Sequence, residues 1–362
     1  MAASGGADQV ARVLDQLNEA DSTATLAVGR HRVDVTSLDK PLWPEARPAA
    51  TKRDLLRYLA AASPWLLPHL KDRPVFVTRA PDGVGGKRFF QKKFPDAPSY
   101  VRSLAVYSPE NKGAIDLLLV TNLATLLWLG QFAALEYHVW FSRVGRTPDG
   151  RSLGTDYASS EESVEESRLN YPDFLVVDLD AYLYSGKEGK GEEPRLHRKG
   201  FNMVRDVALE VREIALSLGL SPYVKTSGKT GLHLYLPILR DFTFDEVREM
   251  ARALGEFAAQ RAPKKVTLEW AVENRTGKVF FDFNQNVRGK SLAAALSPRM
   301  HPSATVSMPL RWDELASVYP TDFTLKTAAE HLALHGDPWA DILESKADLG
   351  AALGTAGSES GG

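Results

Sequence analysis

FLVVDLD, residues 174–180, decides how this chain folds. Two acids at i and i+2 interrupt an apolar, partly β-branched run that favours an extended backbone. Side chains alternate along a strand, so Asp178 and Asp180 point to one face, roughly 6.5–7 Å apart along the backbone. Two ionised carboxylates this close repel each other unless a cation or a proton stands between them. The pattern predicts a buried strand with a divalent-cation site at its acidic end. Two metals ~3.5–4 Å apart there would activate an attacking hydroxyl and stabilise a leaving pyrophosphate. The continuation, Ala181-Tyr182, departs from the DxDxT usual in phosphatases with an aspartyl nucleophile.

A third acid, Asp282, interrupts the aromatic stretch KVFFDFNQN, residues 278–286, with Phe281 and Phe283 on the opposite face. An acid inside such a strand is costly unless it is paired or metal-bound. The plainer reading is a set of strand-end aspartates that cap loops or pair with Arg or Lys. Three acids on apolar strands weigh against it.

SGKTGLHLY, residues 227–235, is the second constellation. Its GKT string is not a P-loop. The required earlier glycine is Tyr223, and LHLYLPI alternates like a strand instead of opening a helix. The segment predicts a glycine-permitted turn whose backbone N–H groups, with Ser227 and Lys229, cradle a triphosphate. His233 alternates with Leu232 and Leu234 and is placed to donate to phosphate. A hairpin with a solvated lysine and a structural histidine is the competing reading.

The rest of the chain predicts a mixed α/β fold with at least two sheets flanked by helices. Tyr223–Thr226 and Leu232–Leu236 read as paired strands; Pro74–Arg79, Ile115–Val120, Val266–Trp270 and Lys278–Asn284 read as further ones. Helices are expected at Lys52–Ala62, stopping before Pro64, and at Asn122–Leu135 and Lys199–Leu218. Another is expected at Asp245–Gln260, behind a Thr243/Glu246 capping box. Residues 1–30 read as an extension with one weak helical stretch near Val10–Leu17. Residues 31–340 read as the catalytic domain, with lobes of about 31–145 and 146–340, and 341–362 as a tail, disordered from about Asp348. Stretches 156–168 and 185–200 read as polar surface insertions.

With 44 basic and 46 acidic residues the net charge is −2, so only a local patch can attract nucleic acid. Residues 71–93 supply one: seven basic side chains stand against Asp72 and Asp82, with Phe89 and Phe90 among them. Basic groups such as Lys92 can track phosphates while an exposed aromatic stacks on a base. A solvated edge over two core phenylalanines is the alternative, and at least one of the pair is expected in the core. Arg275 and Arg299 flank the Asp282 strand and suit a polyphosphate. The chain has no cysteine, which excludes disulfides and thiolate zinc sites. No apolar run approaches the ~20 residues of a membrane span. The N-terminus lacks the basic start and apolar stretch of a secretory signal. A cytoplasmic protein working at the nucleoid is expected.

DLD, SGxxGLH and KVFFDxxQN, in this order, resemble the polymerase domain of bacterial ligase D and its stand-alone relatives in the archaeo-eukaryotic primase superfamily. TSLDKPLWPE (36–45), ATKRDLLRYL (50–59), KRFFQKKFP (87–95) and ATLLWLGQFAALEYHVW (124–140) extend the likeness over roughly residues 32–340. The resemblance implies an archaeo-eukaryotic primase-like core and a template-dependent polymerase or primase that prefers ribonucleotides. It implies Asp178, Asp180 and Asp282 as ligands of two Mn2+ or Mg2+ ions. Ser227, His233, Arg275 and Arg299 would contact the incoming NTP or dNTP, with Lys229 beside them. Lys40 and Lys52 would bind a 5′-phosphate at a DNA gap or break, and Phe89 and Phe90 would stack near the template. Ku and a separate DNA ligase are the implied partners, in end joining. The turn places Lys229 one position earlier than the SGSKGLH variant, and Ala294-Ala295-Leu296-Ser297 replaces the usual Ala-Pro-Tyr-Ser. No KxDG ligase motif is present, so a stand-alone polymerase is expected. The other reading is a non-catalytic DNA-end-binding recruiter in break repair.

Overall fold

A computed structural model gives the architecture and describes residues 2–182 and 196–352. Most of the 185–200 insertion, and residues 353–362 of the tail, lie outside the described residues.

The chain opens with α1 (Ala2–Glu19) and a hairpin of β1 (Ala24–Val28) and β2 (His31–Val35). Val10, Val13, Leu14 and Leu17 form one helical stripe, and it packs on the hairpin and on Leu56, Ala60 and Leu127. The N-terminal residues expected to be an extension are therefore part of the core. A short ribbon, β3 (Pro41–Trp43) and β4 (Ala50–Thr51), leads into α2 (Lys52–Leu70), capped by a Thr51/Asp54 box. The helix continues through Pro64 and Pro68, where the sequence predicts a stop. Leu66 and Leu70 are fully buried beyond that point, and their burial offsets the backbone bonds that proline forgoes.

β5 (Pro74–Arg79), β6 (Phe89–Gln91), β7 (Arg102–Ser108) and β8 (Gly113–Leu119) follow, then α3 (Leu123–Gln131) and β9 (Ala134–Trp140). The helix expected to reach Leu135 ends at Gln131, because Ala133 takes a left-handed φ of 55° and turns the chain into β9. The acidic stretch 156–168 forms a short helix, α4 (Glu161–Glu165), anchored by buried Val164. Next come β10 (Phe174–Tyr182), α5 (Arg198–Ser217), β11 (Tyr223–Thr226), β12 (Leu232–Pro237) and α6 (Phe244–Arg261). β13 (Val266–Thr267), β14 (Lys278–Asp282), β15 (Ser291–Ala293), β16 (Pro309–Leu310) and α7 (Ala328–His335) complete the fold. The strands expected to reach Trp270 and Asn284 end at Thr267 and Asp282.

Two sheets result. One has the order β15-β9-β5-β8-β7 with β6 on β5, and the other the order β13-β14-β10-β12-β11-β16. β15 comes from the second half of the chain but pairs with β9, so the two expected lobes share a sheet. Leu175, Val177 and Leu179 of β10 pack with Val204, Val207 and Val211 of α5 and Val247 and Ala251 of α6. Alternation then turns Phe174, Val176, Asp178 and Asp180 to the other face, toward the first sheet.

At the far end of β10 from the acids, Asp173 is fully buried. Arg73 and Arg143 reach it at 2.8 and 3.1 Å, and Lys346 at 2.6 Å. Arg240 and Lys346 also hold Asp149, at 2.9 and 2.6 Å. Lys346 ties down residues expected to be tail, and Leu349 and Ala352 are buried beside it. The described part of the tail is therefore packed through residue 352.

Candidate active site

The register of the second sheet sets up the site. Asp282 on β14 and His233 on β12 both lie directly opposite Asp178 on β10, and Lys225 on β11 lies opposite His233. One row of the sheet thus reads Asp282, Asp178, His233, Lys225, with Asp180 two residues further along β10. Asp178, Asp180, Ser227, Lys229, His233 and Arg299 line a cleft of about 270 Å³ together with His138 of the first sheet.

The acids are held separately. Asp180 accepts from the Thr230 hydroxyl at 3.0 Å. Asp282 accepts from the Asn284 N–H at 2.9 Å and the Gln285 side chain at 2.7 Å, and it stands just outside the cleft lining. Asp178 Oδ1 is buried with no hydrogen-bond donor, 3.4 Å from His233 Nε2. Burial first, then the charges of Asp180 and Asp282, push the Asp178 carboxyl well above its usual range. Burial also raises Asp180, against the Thr230 bond. Among the described residues no three such groups already converge on one point. The donors are nevertheless all carboxylate oxygens on one face, the set that Mg2+ and Mn2+ take, and the orphaned Asp178 oxygen and mutual repulsion favour a cation. Each Asp282 oxygen keeps a lone pair beyond the bonds from Asn284 and Gln285, so it can still serve a cation there.

The turn between β11 and β12 is built around Ser227. Its Oγ accepts from the N–H groups of Lys229 and Gly231 at 3.2 and 3.0 Å. Those two amides therefore face inward, a departure from the expected triphosphate cradle, and what remains for a ligand are side chains. Two glycines are sterically required. Gly228 has a φ of 72°, and a Cβ there would lie 2.5 Å from Arg299 Cγ. A Cβ on Gly231 would lie 2.1 Å from the Leu179 carbonyl and 2.4 Å from Asp180 Oδ1. Gly231→Ala is expected to cost roughly 1–3 kcal/mol by overpacking, read by denaturant unfolding, and to displace Asp180. Unchanged stability would mean that the turn does not sit against β10.

The first sheet contributes residues that the sequence reading did not single out. Glu136 stands 3.2 Å from Arg299 Nε and accepts from the Met300 N–H at 3.0 Å. Burial works to raise its carboxyl, but Arg299 and His138 outweigh it and hold the group well below the usual range. His138 also packs edge-on against Phe90, with ring centroids 5.9 Å apart. Thr230 and Lys225 were missed as well. Burial first and Arg299 second lower the Lys225 ammonium well below its usual range. In the sequence, Glu136 and His138 follow directly on the stretch that reads as a helix to Leu135, with no strand expected there, so their common face is invisible. A strand assignment for Ala134–Trp140 would have revealed it.

Arg275 is not brought to the cleft. Its guanidinium lies 3.4 Å over the Phe280 ring and donates to the carbonyls of Glu269 and Trp270.

A family model for the LigD primase-polymerase domain matches residues 51–339. The chain belongs to this family, and so to the polymerase class of nucleotidyltransferases. It is 30% identical over 320 residues to the bifunctional non-homologous end joining protein LigD of Bacillus subtilis, covering 88% of this chain and 45% of that protein. It is also 30% identical over 309 residues to the multifunctional LigD of Pseudomonas aeruginosa, covering 84% and 32%. The chain therefore spans less than half the length of these relatives. The polymerase domain of Mycobacterium tuberculosis ligase D, solved in complex with DNA, superimposes with a TM-score of 0.71 at 27% identity, covering 87% of this chain and 99% of that one. The mixed α/β fold with its two sheets is that of the LigD polymerase domain.

On the LigD-like scaffold the expected DNA-contacting residues fall into two groups. Lys40 and Lys52 are neighbours: the Lys52 N–H donates to the Lys40 carbonyl at 3.0 Å. Lys52 Nζ donates to the Thr36 carbonyl at 2.9 Å, and Lys40 Nζ pairs with Asp82 at 2.9 Å. Burial first, then the charge of Lys40, lower the Lys52 ammonium. Two cations this close suit an anion between them. Phe89 and Phe90 are 41% and 55% exposed, so neither is core, contrary to expectation. β6 pairs with β5, and because side chains alternate along a strand the two rings leave it on opposite faces, Phe90 on the side of Phe76 and His138. Lys87 Nζ lies 5.1 Å from the Phe89 ring centroid, and Lys92 Nζ lies 5.2 Å from that of Phe76. Phe90 links this basic, aromatic strip to the cleft through His138. Among the described residues no helix is long and apolar enough to cross a membrane.

Proposed function

We propose that this chain is a template-dependent DNA-repair polymerase, adding nucleotides, ribonucleotides by preference, to a primer 3′ end at gaps or breaks. The observation that carries this is Asp178 flanked in register by Asp282 and His233, beside the Ser227–Gly231 turn and Arg299. Asp178, Asp180 and Asp282 hold Mn2+ or Mg2+. When bound, such ions lower the pKa of a primer hydroxyl and neutralise charge on a triphosphate. Arg299, oriented by Glu136, supplies positive charge to the phosphates, and His233 and Ser227 donate hydrogen bonds to them. Lys229 adds charge at the cleft. Arg275 joins only by leaving Phe280.

DNA follows the strip from the cleft across Phe90, with Lys92 on its backbone and a base stacking on the exposed Phe90 ring, and Phe89 meets DNA from the other face of β6 near the template. Lys40 and Lys52 receive the 5′-phosphate at the far side of a gap. The relatives' names support a place in non-homologous end joining. We infer Ku and a separate ligase as its partners, in the cytoplasm at the nucleoid.

Lys52→Ala is expected to remove the preference for a gap with a 5′-phosphate over one with a 5′-hydroxyl, in fluorescence-anisotropy binding. Equal preference in variant and wild type would reject this role. The proposal as a whole is tested by primer extension on gapped DNA.

A further inference from the structure

We propose that Lys225 is a positioning residue that fixes the tautomer of His233, so that the imidazole presents an Nε2–H donor to the cleft. The inference rests on the polymerase reading of that cleft.

Lys225 is fully buried. It has no carboxylate in salt-bridge range among the described residues, and a buried lysine without one is costly. What it touches explains its presence. Its Nζ stands 2.7 Å from His233 Nδ1 and 2.6 Å from Ser307 Oγ. Ser307 spends its own proton on the Thr226 carbonyl, at 2.8 Å, so its oxygen accepts from Lys225. An ammonium has donors only. Nδ1 must then accept, and the ring proton sits on Nε2. A neutral amine makes the same pair of bonds when it donates to both, and the one alternative, accepting from Nδ1–H, is the arrangement that nitrogen-15 NMR distinguishes.

Nε2 faces Asp178 Oδ1 at 3.4 Å, in the cleft that Ser227 and Arg299 also line. Carboxylate and phosphate oxygens accept hydrogen bonds and do not give them. The opposite tautomer would set a lone pair against them. A histidine with no partner at Nδ1 samples both forms, so the donor at Nε2 is not fixed. Lys225 removes that choice from the neighbouring strand β11, without lining the cleft itself.

The test uses the full chain. Nitrogen-15 NMR of the histidines, with His233 assigned by its loss in His233→Ala, reads the tautomer in the wild type and in Lys225→Met. Calorimetry with ATP and Mn2+, without DNA, reads binding by the wild type, by Lys225→Met, His233→Ala and the double variant, and by Lys225→Arg. The expected result is an Nε2–H imidazole in the wild type and mixed tautomers in Lys225→Met. Nucleotide binding should weaken about tenfold in Lys225→Met, as when an outer partner of a functional histidine is removed, and should be largely kept in Lys225→Arg. In the His233→Ala background Lys225→Met should add no further loss. An Nδ1–H imidazole in the wild type overturns the inference, as do additive losses in the double variant. Absence of nucleotide binding by the wild type would instead sink the polymerase reading, while the NMR spectrum still decides the tautomer.

Discussion

Asp178→Asn is expected to abolish templated extension, lowering its rate roughly 10³-fold or more, and at the same time to stabilise the metal-free fold at neutral pH. The first effect follows from losing the carboxylate at the centre of the row; cation-borne charge stabilisation is worth several kcal/mol, and each 1.36 kcal/mol is about tenfold in rate. The second follows from electrostatics. Burial and the neighbouring Asp180 and Asp282 raise the Asp178 carboxyl from its usual 3.8. A raised value in the fold means that stability is fully present below the unfolded value and is lost as pH rises through the folded one. Asparagine keeps the shape without the charge and removes that loss. The expected pattern is a higher melting temperature for the metal-free variant than for the metal-free wild type at pH 7. Mn2+ should raise the melting temperature of the wild type more than that of the variant. A variant that extends primers near the wild-type rate would remove Asp178 from the site.

Asp173→Asn is expected to be the most damaging substitution for stability, at roughly 3–5 kcal/mol, because it breaks a buried network from its acidic side. Arg73, Arg143 and Lys346 all contact Asp173, and Asp149 alone would remain to face these cations and Arg240. Burial works to raise the Asp173 carboxyl, but Arg73, Lys346, Arg143 and Arg240 outweigh it and hold it well below 3.8. A lowered value gives stability that is present above the unfolded value and lost as pH falls through the folded one. Urea unfolding across pH 3 to 7 should therefore show the wild type weakening toward acid and the variant starting weak and changing less. Equal stability at pH 7 would mean that the four cations are satisfied without Asp173. The network lies where β10 begins, so its loss should also loosen the strand that carries Asp178 and Asp180.

Sequence pattern alone located the acid-bearing strands and the turn because their signals are local. FLVVDLD alternates over seven residues, and the Ser227–Gly231 turn sits between two alternating runs, so side-chain direction follows from spacing. The Thr243/Glu246 box likewise fixed the start of α6. What escaped depends on partners distant in the chain. Residues 10–17 form a good stripe, but nothing near them in sequence says that a hairpin at 24–35 covers it. Pro64 reads as a stop because the burial of Leu66 and Leu70 is tertiary. The run from Ala124 to Trp140 is mostly apolar, with no turn signal inside it, and only the left-handed Ala133 divides helix from strand, which hid Glu136 and His138. Lys225 carries no signal in the sequence, because its partners become neighbours only when β11, β12 and β10 are placed side by side. The family likeness carried Arg275 into the nucleotide set, whereas the fold lays it on Phe280.

Extension of a labelled primer on gapped DNA bearing a 5′-phosphate, with NTPs against dNTPs and Mn2+ against Mg2+, tests the polymerase reading most directly. The expected result is templated, metal-dependent extension, faster with NTPs, that disappears in Asp178→Asn while DNA binding persists. Tight binding of the gapped DNA with no extension under any of these conditions would contradict it, and would leave a module that recruits other repair enzymes.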